Sequence, residues 1–240
     1  MPLPKLKYPT FFDKIPSTKE SVEYRPFLVK EQKVLLIASE SGDQKSIKEA
    51  MKKTLQACII SKINIDELAT FDIEYLFLRI RSKSISEKLE IVFSHVGAVN
   101  KKGESCEHKT KVSVDLDPVT VQFDSEHSSI INVSDSVTLK MRYPNIDSSD
   151  TLGIDNNAGN VFDLVGKCIS VISVGEETFN SDDYTTEEMR EFLEQFTTPE
   201  FKKVERFFET MPKLKHKISY KCGACLQEDE YTLEGLSDFF

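Results

Sequence analysis

Glycine and histidine are scarce in this 240-residue chain, which holds nine Gly and four His. That scarcity removes chemistry. There is no Gly-rich loop to cradle a phosphate, no G-x-S-x-G nucleophile elbow and no H-E-x-x-H pair. The histidines, His95, His108, His127 and His216, never fall three to five residues apart, so no local metal or acid–base signature forms. Long apolar runs are missing as well: nothing approaches the roughly 18 residues of a membrane span, and the opening MPLPKLKYPT lacks the apolar stretch of a secretory signal. The expectation is a soluble protein made in a cytoplasm, with its five cysteines reduced rather than paired. The acid pairs Asp182-Asp183 and Glu187-Glu188 lie near a helix start, where the helix dipole is sufficient reason for them. On these absences the chain reads as a non-enzyme.

What is present is apolar bulk and segregated charge. Hydrophobic residues form 39% of the chain and 16 of them are Phe, enough to build a sizeable core and to argue against wholesale disorder. The formal charge of −9 is unevenly placed: residues 1–120 hold 20 Lys and Arg against 17 acids, and residues 121–240 hold 11 against 23. Between Tyr143 and Phe201 two cations face 13 acids, a field that repels a phosphate backbone and makes nucleic acid a poor partner there. The simpler reading of the same acids is a set of solvated helix faces.

The periodicity changes twice along the chain. Residues 8–25 alternate on both sides of IPSTKE as a β-hairpin. A first helix follows, with Val29, Lys33, Leu36 and Ile37 on one face. Ser41-Gly42-Asp43 stops it and caps a second helix, on which Ile47, Met51, Leu55, Cys58 and Ile59 share a face. A third helix carries the stripe Ile73, Leu76, Phe77, Ile80. The middle then alternates in steps of two, in EKLEIVFSHV, KTKVSVDLDPVTVQF and SVTLKMRYP, as a small antiparallel sheet. IDSSDTLGIDNNAGN reads as a flexible loop or lid.

Helical spacing returns over Val161–Val174, where Cys168 joins an apolar face, and in TTEEMREFLEQF, where Thr185 and Glu188 have capping-box spacing. Thr198-Pro199 opens another helix, which Pro212 ends. HKISYKC is a final strand, and EDEYTLEGLSDFF is read as closing in a short amphipathic helix. The class is α+β, organised as an N-terminal hairpin with three helices (1–86), an antiparallel sheet subdomain (87–145) and an acidic helical region ending in a C-x-x-C hairpin (146–240), the last read as one compact unit with the preceding parts.

One constellation has metal character. Cys222-Gly-Ala-Cys225 is a C-x-x-C between strands, and Cys106-Glu-His108 could supply a second half-site, giving a conditional Cys₃His zinc shell with no other cofactor expected. The bland reading of C-G-A-C is a tight turn with two incidental thiols. At the end of the chain Leu233, Leu236, Phe239 and Phe240 fall on one helical face and must dock either on the protein's own core or on a partner.

In order along the chain, YPTFFDKIPSTKESVEYRPFLVKEQKVLLIASESGD, FDIEYLFLRIRSKSISE, KVSVDLDPVTV, LKMRYP and YKCGACLQEDEYTLEGLSDFF resemble the T-even-type phage baseplate family, the hub subunits and hub assembly proteins of contractile-tailed phages. The resemblance implies a morphogenesis factor, either a hub subunit or a transient assembly chaperone. It implies other baseplate hub proteins as partners, the host cytoplasm as the place of assembly, and the virion baseplate as a destination. Where relatives carry more cysteine around the middle sheet this chain has only Cys106 and His108, so the resemblance supplies no zinc site. The competing classes are a small metal-dependent or hydrolytic phage tail enzyme, for which paired carboxylates or a His-rich site are wanting, and a zinc-ribbon regulator, which the −9 charge opposes.

Overall fold

The computed structural model describes residues 6–94, 103, 106, 108–146, 148 and 158–239. The chain is α+β and divides into two compact units: unit 1 comprises Met1–Lys62, Glu74–Gln122 and Lys213–Phe240, and unit 2 comprises Ile63–Ile73 and Phe123–Pro212.

Unit 1 begins with the expected hairpin, β1 (Phe11–Lys14) against β2 (Ser21–Tyr24), in the register Phe11↔Tyr24. Helices α1 (Val29–Ser41) and α2 (Gln44–Cys58) follow. Gly42, in the left-handed conformation at φ 67°, ends α1, and Asp43 accepts the Ser46 N–H at 3.0 Å to start α2. The face of α1 that carries Val29, Leu36 and Ile37 is solvent-exposed, at 80%, 59% and 56%. What α1 buries is Ala38 and the charged Glu31. Burial alone would raise the Glu31 carboxyl, but the Arg25 guanidinium at 2.9 Å and the Leu28 N–H at 2.8 Å hold it below its ordinary value. A polar clasp therefore anchors this helix. Leu55 and Cys58 of α2 are fully buried.

Helix α3 (Thr70–Ser84) gives its first residues to unit 2 and the remainder to unit 1. Its predicted stripe, Ile73, Leu76, Phe77 and Ile80, is buried throughout. In unit 1, Arg79 donates to the Asp117 carbonyl at 3.0 Å, and Tyr75 donates to Asp13 at 2.9 Å, which ties α3 to the hairpin and to the turn after the next strands.

The alternating middle segment is antiparallel as read, but it is shared among three sheets. β3 (Lys88–Ser94) pairs with β4 (Lys109–Asp115), while β5 (Thr120–Gln122) joins β10 (Lys213–Lys221) and β11 (Glu228–Glu234) in the order β11-β10-β5. The segment EDEYTLE is thus a strand and not helix; only Leu236–Phe239 turns, as a single 3-10 stretch. Charge complements the pairing. The basic KLKHKISYK lies against the acidic EDEYTLE, so that Lys217 meets Glu230 at 2.6 Å, Lys213 and Lys215 meet Glu234 at 2.9 and 3.1 Å, and Lys221 meets Glu228 at 3.7 Å.

Unit 2 holds the four-stranded sheet β6-β7-β8-β9, with β6 (Ile130–Asn132), β7 (Val137–Met141), β8 (Ile169–Val174) and β9 (Glu177–Asn180). Among the described residues it also holds α4 (Ala158–Cys168), α5 (Thr186–Glu194) and α6 (Thr198–Thr210). The helix read over Val161–Val174 in fact stops at Cys168. Leu164, Val165, Cys168, Ile169 and Ile172 fit a helical period, but ISVISV is rich in β-branched residues and its backbone is satisfied on both sides by β7 and β9. These residues join Leu139, Leu193, Val204 and Phe207 in one core. Gly166 allows a close approach, since a Cβ there would stand 3.3 Å from that of Met189. The expected capping box is present at Thr185–Glu188, and α6, opened by Thr198-Pro199 as read, carries a second one at Thr197–Glu200. Of the segment 146–160 read as a loop, residues 147 and 149–157 lie outside the described residues, as do His95 and Phe240.

Candidate functional site

Within unit 1, two hairpins converge at their ends. The turn between β10 and β11 is a knuckle closed by the Leu226 N–H donating to the Cys222 carbonyl at 3.1 Å and by the Cys222 N–H donating to Gln227 at 2.9 Å. Closing it puts Leu226 at φ 62°, a conformation that costs a bulky L-residue about 1–2 kcal/mol. Cys222 and Cys225 are thereby set within one turn. Cys106 arrives from the segment just before β4, and its sulfur lies 3.8 Å from that of Cys222.

The three sulfurs of Cys106, Cys222 and Cys225 all lie within 4.8 Å of one another, and none of the three is in a disulfide. Cys106 and Cys222 are buried and Cys225 is half-buried. The Gln227 N–H pulls the Cys225 thiol down, but burial and the Cys222 and Cys106 sulfurs outweigh it and leave the thiol above its ordinary value. A separation of 3.8 Å is far beyond the roughly 2.05 Å of a disulfide. Such a group can hold a soft cation.

His108 stands outside the 4.8 Å group, with its exposed ring over the knuckle. A Cβ on Gly223 would come 3.1 Å from its Nε2, so the second knuckle position has to be bare for the imidazole to lie there. The aromatic stack beside it gave no sequence signal: Phe93 of β3 lies at 4.7 Å on Tyr220 and at 5.2 Å from Tyr231, which joins strands far apart in the chain.

The remaining sequence candidates fall elsewhere. Leu233, Leu236 and Phe239 are buried in unit 1, the packing expected of an end docked on its own core. Cys58 and Cys168 are buried free thiols, pushed up to about 11 and about 12 by burial, so they are poor nucleophiles and poor ligands. His127 is enclosed by Tyr143 and Phe207, bonds Thr210 Oγ1 at 3.0 Å through Nδ1, and is lowered by burial. A groove in unit 2 is lined by Arg142, Asp163, Lys167, Asp182 and Tyr184 among others. Arg142 pairs with Asp182 at 2.7 Å and Asp163 with Arg190 at 2.6 Å, and no His or Cys is among its lining residues.

Comparison with known proteins adds one finding. The model of a protein family described as T4 bacteriophage base plate protein matches residues 8–240. No curated protein and no solved structure matches the chain. No helix among the described residues is long and apolar enough to cross a membrane.

Proposed function

Since the chain belongs to the family of T4 bacteriophage base plate proteins, we propose that it acts without catalysis in assembling the central hub of the baseplate, as a hub subunit or as an assembly chaperone. The observation that carries this reading is the extent of the family match, which takes in both units and leaves only the first seven residues outside. Its partners are other baseplate proteins, met in the host cytoplasm during assembly.

Two features support binding work. The exposed Val29, Leu36 and Ile37 of α1 form an apolar face of the kind that a protein partner covers. Charge is divided by unit: unit 1 has 24 Lys and Arg against 19 acids, and unit 2 has 7 against 21, which suits steering toward a basic hub surface.

The test is a phage carrying a nonsense codon in this gene, grown with and without a complementing copy. Expected are tails without a completed hub in the uncomplemented infection, rescued by the copy. Normal, infectious particles without the protein would overturn the proposal. Mass spectrometry of purified virions separates the two forms, since a subunit is retained and a chaperone is not.

A further inference from the structure

Unit 1 contains two hairpins, β3–β4 and β10–β11, that belong to different sheets and share no strand ladder. At one place they meet through the Phe93, Tyr220 and Tyr231 rings, and at another through the sulfurs of Cys106 and Cys222. In a tetrahedral site with metal–sulfur bonds of about 2.3 Å, the sulfurs stand about 3.8 Å apart. The Cys106–Cys222 separation is 3.8 Å. The third sulfur falls inside the same small group, although it comes from the far end of the knuckle.

Two further observations point to a ligand at this spot. Leu226 accepts a left-handed conformation, and the turn it closes keeps Cys222 and Cys225 on one side. Gly223 leaves room for an imidazole that reaches over from the other hairpin. Three soft sulfurs in one group, with an imidazole nitrogen on the adjoining knuckle, match the donor types of structural zinc, whose sites are closed and four-coordinate.

We propose that Cys106, Cys222 and Cys225 ligate one zinc ion, that the exposed His108 ring turns from above Gly223 to complete the shell, and that the ion fastens the approach to β4 onto the β10–β11 knuckle. On binding, the three thiols release their protons to solvent and no electron is transferred. The site is structural: every position is taken by a side chain, so none is left for water or substrate. This inference stands apart from the hub reading, because it rests on the four side chains alone.

The full chain is purified without chelator from medium supplied with zinc, and its metal is measured by plasma mass spectrometry. About one zinc per chain is expected, in line with a closed structural site. Cys225→Ser should lose the metal, and Cys168→Ala, altered in the core of unit 2, should keep it. As a readout that does not depend on a variant folding, the metal-stripped wild type is titrated with Co²⁺ alone. Intense thiolate–cobalt absorption, bleached by one equivalent of zinc, is expected, and in His108→Ala that spectrum should shift.

Chelation should lower the melting temperature by roughly 10 °C or more, as the loss of a structural metal implies for a domain of this size. Wild-type protein without stoichiometric zinc and without a thiolate–cobalt spectrum overturns the site, as does a Cys106–Cys222 disulfide in metal-free protein freshly purified under reducing-cytoplasm expression. A cobalt spectrum unchanged in His108→Ala overturns the Cys₃His assignment.

Discussion

The two units of this chain reach stability by different routes. Unit 2 places three amphipathic helices with one four-stranded sheet and buries a continuous core that includes Leu139, Ile169, Leu193, Val204 and Phe207. Unit 1 is divided among small sheets of two or three strands, and a two-stranded hairpin by itself is marginal in water. It adds fastenings: the Arg25–Glu31 clasp, the Arg79 contacts and the Lys–Glu ladder of β10 and β11, joined in the proposal above by a metal held between the three sulfurs. The net charges are opposite in sign as well, since cations exceed acids in unit 1 and acids exceed cations threefold in unit 2. Unit 1 also buries Ile15, Leu55, Leu76, Leu116, Leu214 and Phe239 fully, and where its sheets are small, specific polar contacts add to that burial.

The most severe way to probe unit 1 is at its end. Phe239 is fully buried, so Phe239→Ala should destabilise the protein by about 3–5 kcal/mol, read as a lower urea midpoint. A change under about 1 kcal/mol would mean that the end docks loosely and that its burial contributes little.

Glu74 gives a smaller effect of opposite sign. Burial pushes its carboxyl from an ordinary 4.5 up to about 6, helped by the Glu234 charge, although the Leu236 N–H at 3.4 Å works the other way. The folded state therefore favours the protonated acid. The protein is most stable with respect to this group below pH 4.5 and loses about 2 kcal/mol as pH rises through 6. Glu74→Gln keeps an acceptor for Leu236 and should raise stability at pH 7 by up to about 2 kcal/mol, with no gain at pH 4. Equal gains at both pH values would contradict this.

At Leu226 the left-handed backbone is paid for by the turn, and Gly adopts it without steric cost. Leu226→Gly should raise stability by about 1 kcal/mol. A loss would show that the exposed leucyl side chain has a contact of its own in solution.

The mildest change in stability is expected on α1. Ile37→Glu should alter the unfolding midpoint by less than about 0.5 kcal/mol, because the side chain is already exposed, and yet it should abolish capture of hub proteins from infected cells. Intact capture would remove α1 as a docking face.

Much of this architecture was legible from spacing. Caps at Asp43 and Thr185, the start at Thr198-Pro199 and the stripe on α3 obey local rules, so residues a few positions apart were sufficient to read them. Failures came where distant partners decide. Residues 169–174 suit helix or strand until β7 and β9 are placed beside them, and EDEYTLE becomes a strand once β10 is laddered along it. C-x-x-C announces itself, and Cys106 with His108 could be named as a second half-site, but Cys106 lies 116 residues before Cys222, and only the fold brings their sulfurs to 3.8 Å.

Hydrogen exchange on the metal-loaded and chelated full chain tests the contrast between the units most directly. If a metal fastens the hairpins of unit 1 while unit 2 depends on its own core, chelation should strip protection from the amides of β3, β4, β10 and β11 and leave β6 to β9 as protected as before. Unchanged protection throughout, or a loss that falls equally on the sheet of unit 2, would contradict the account.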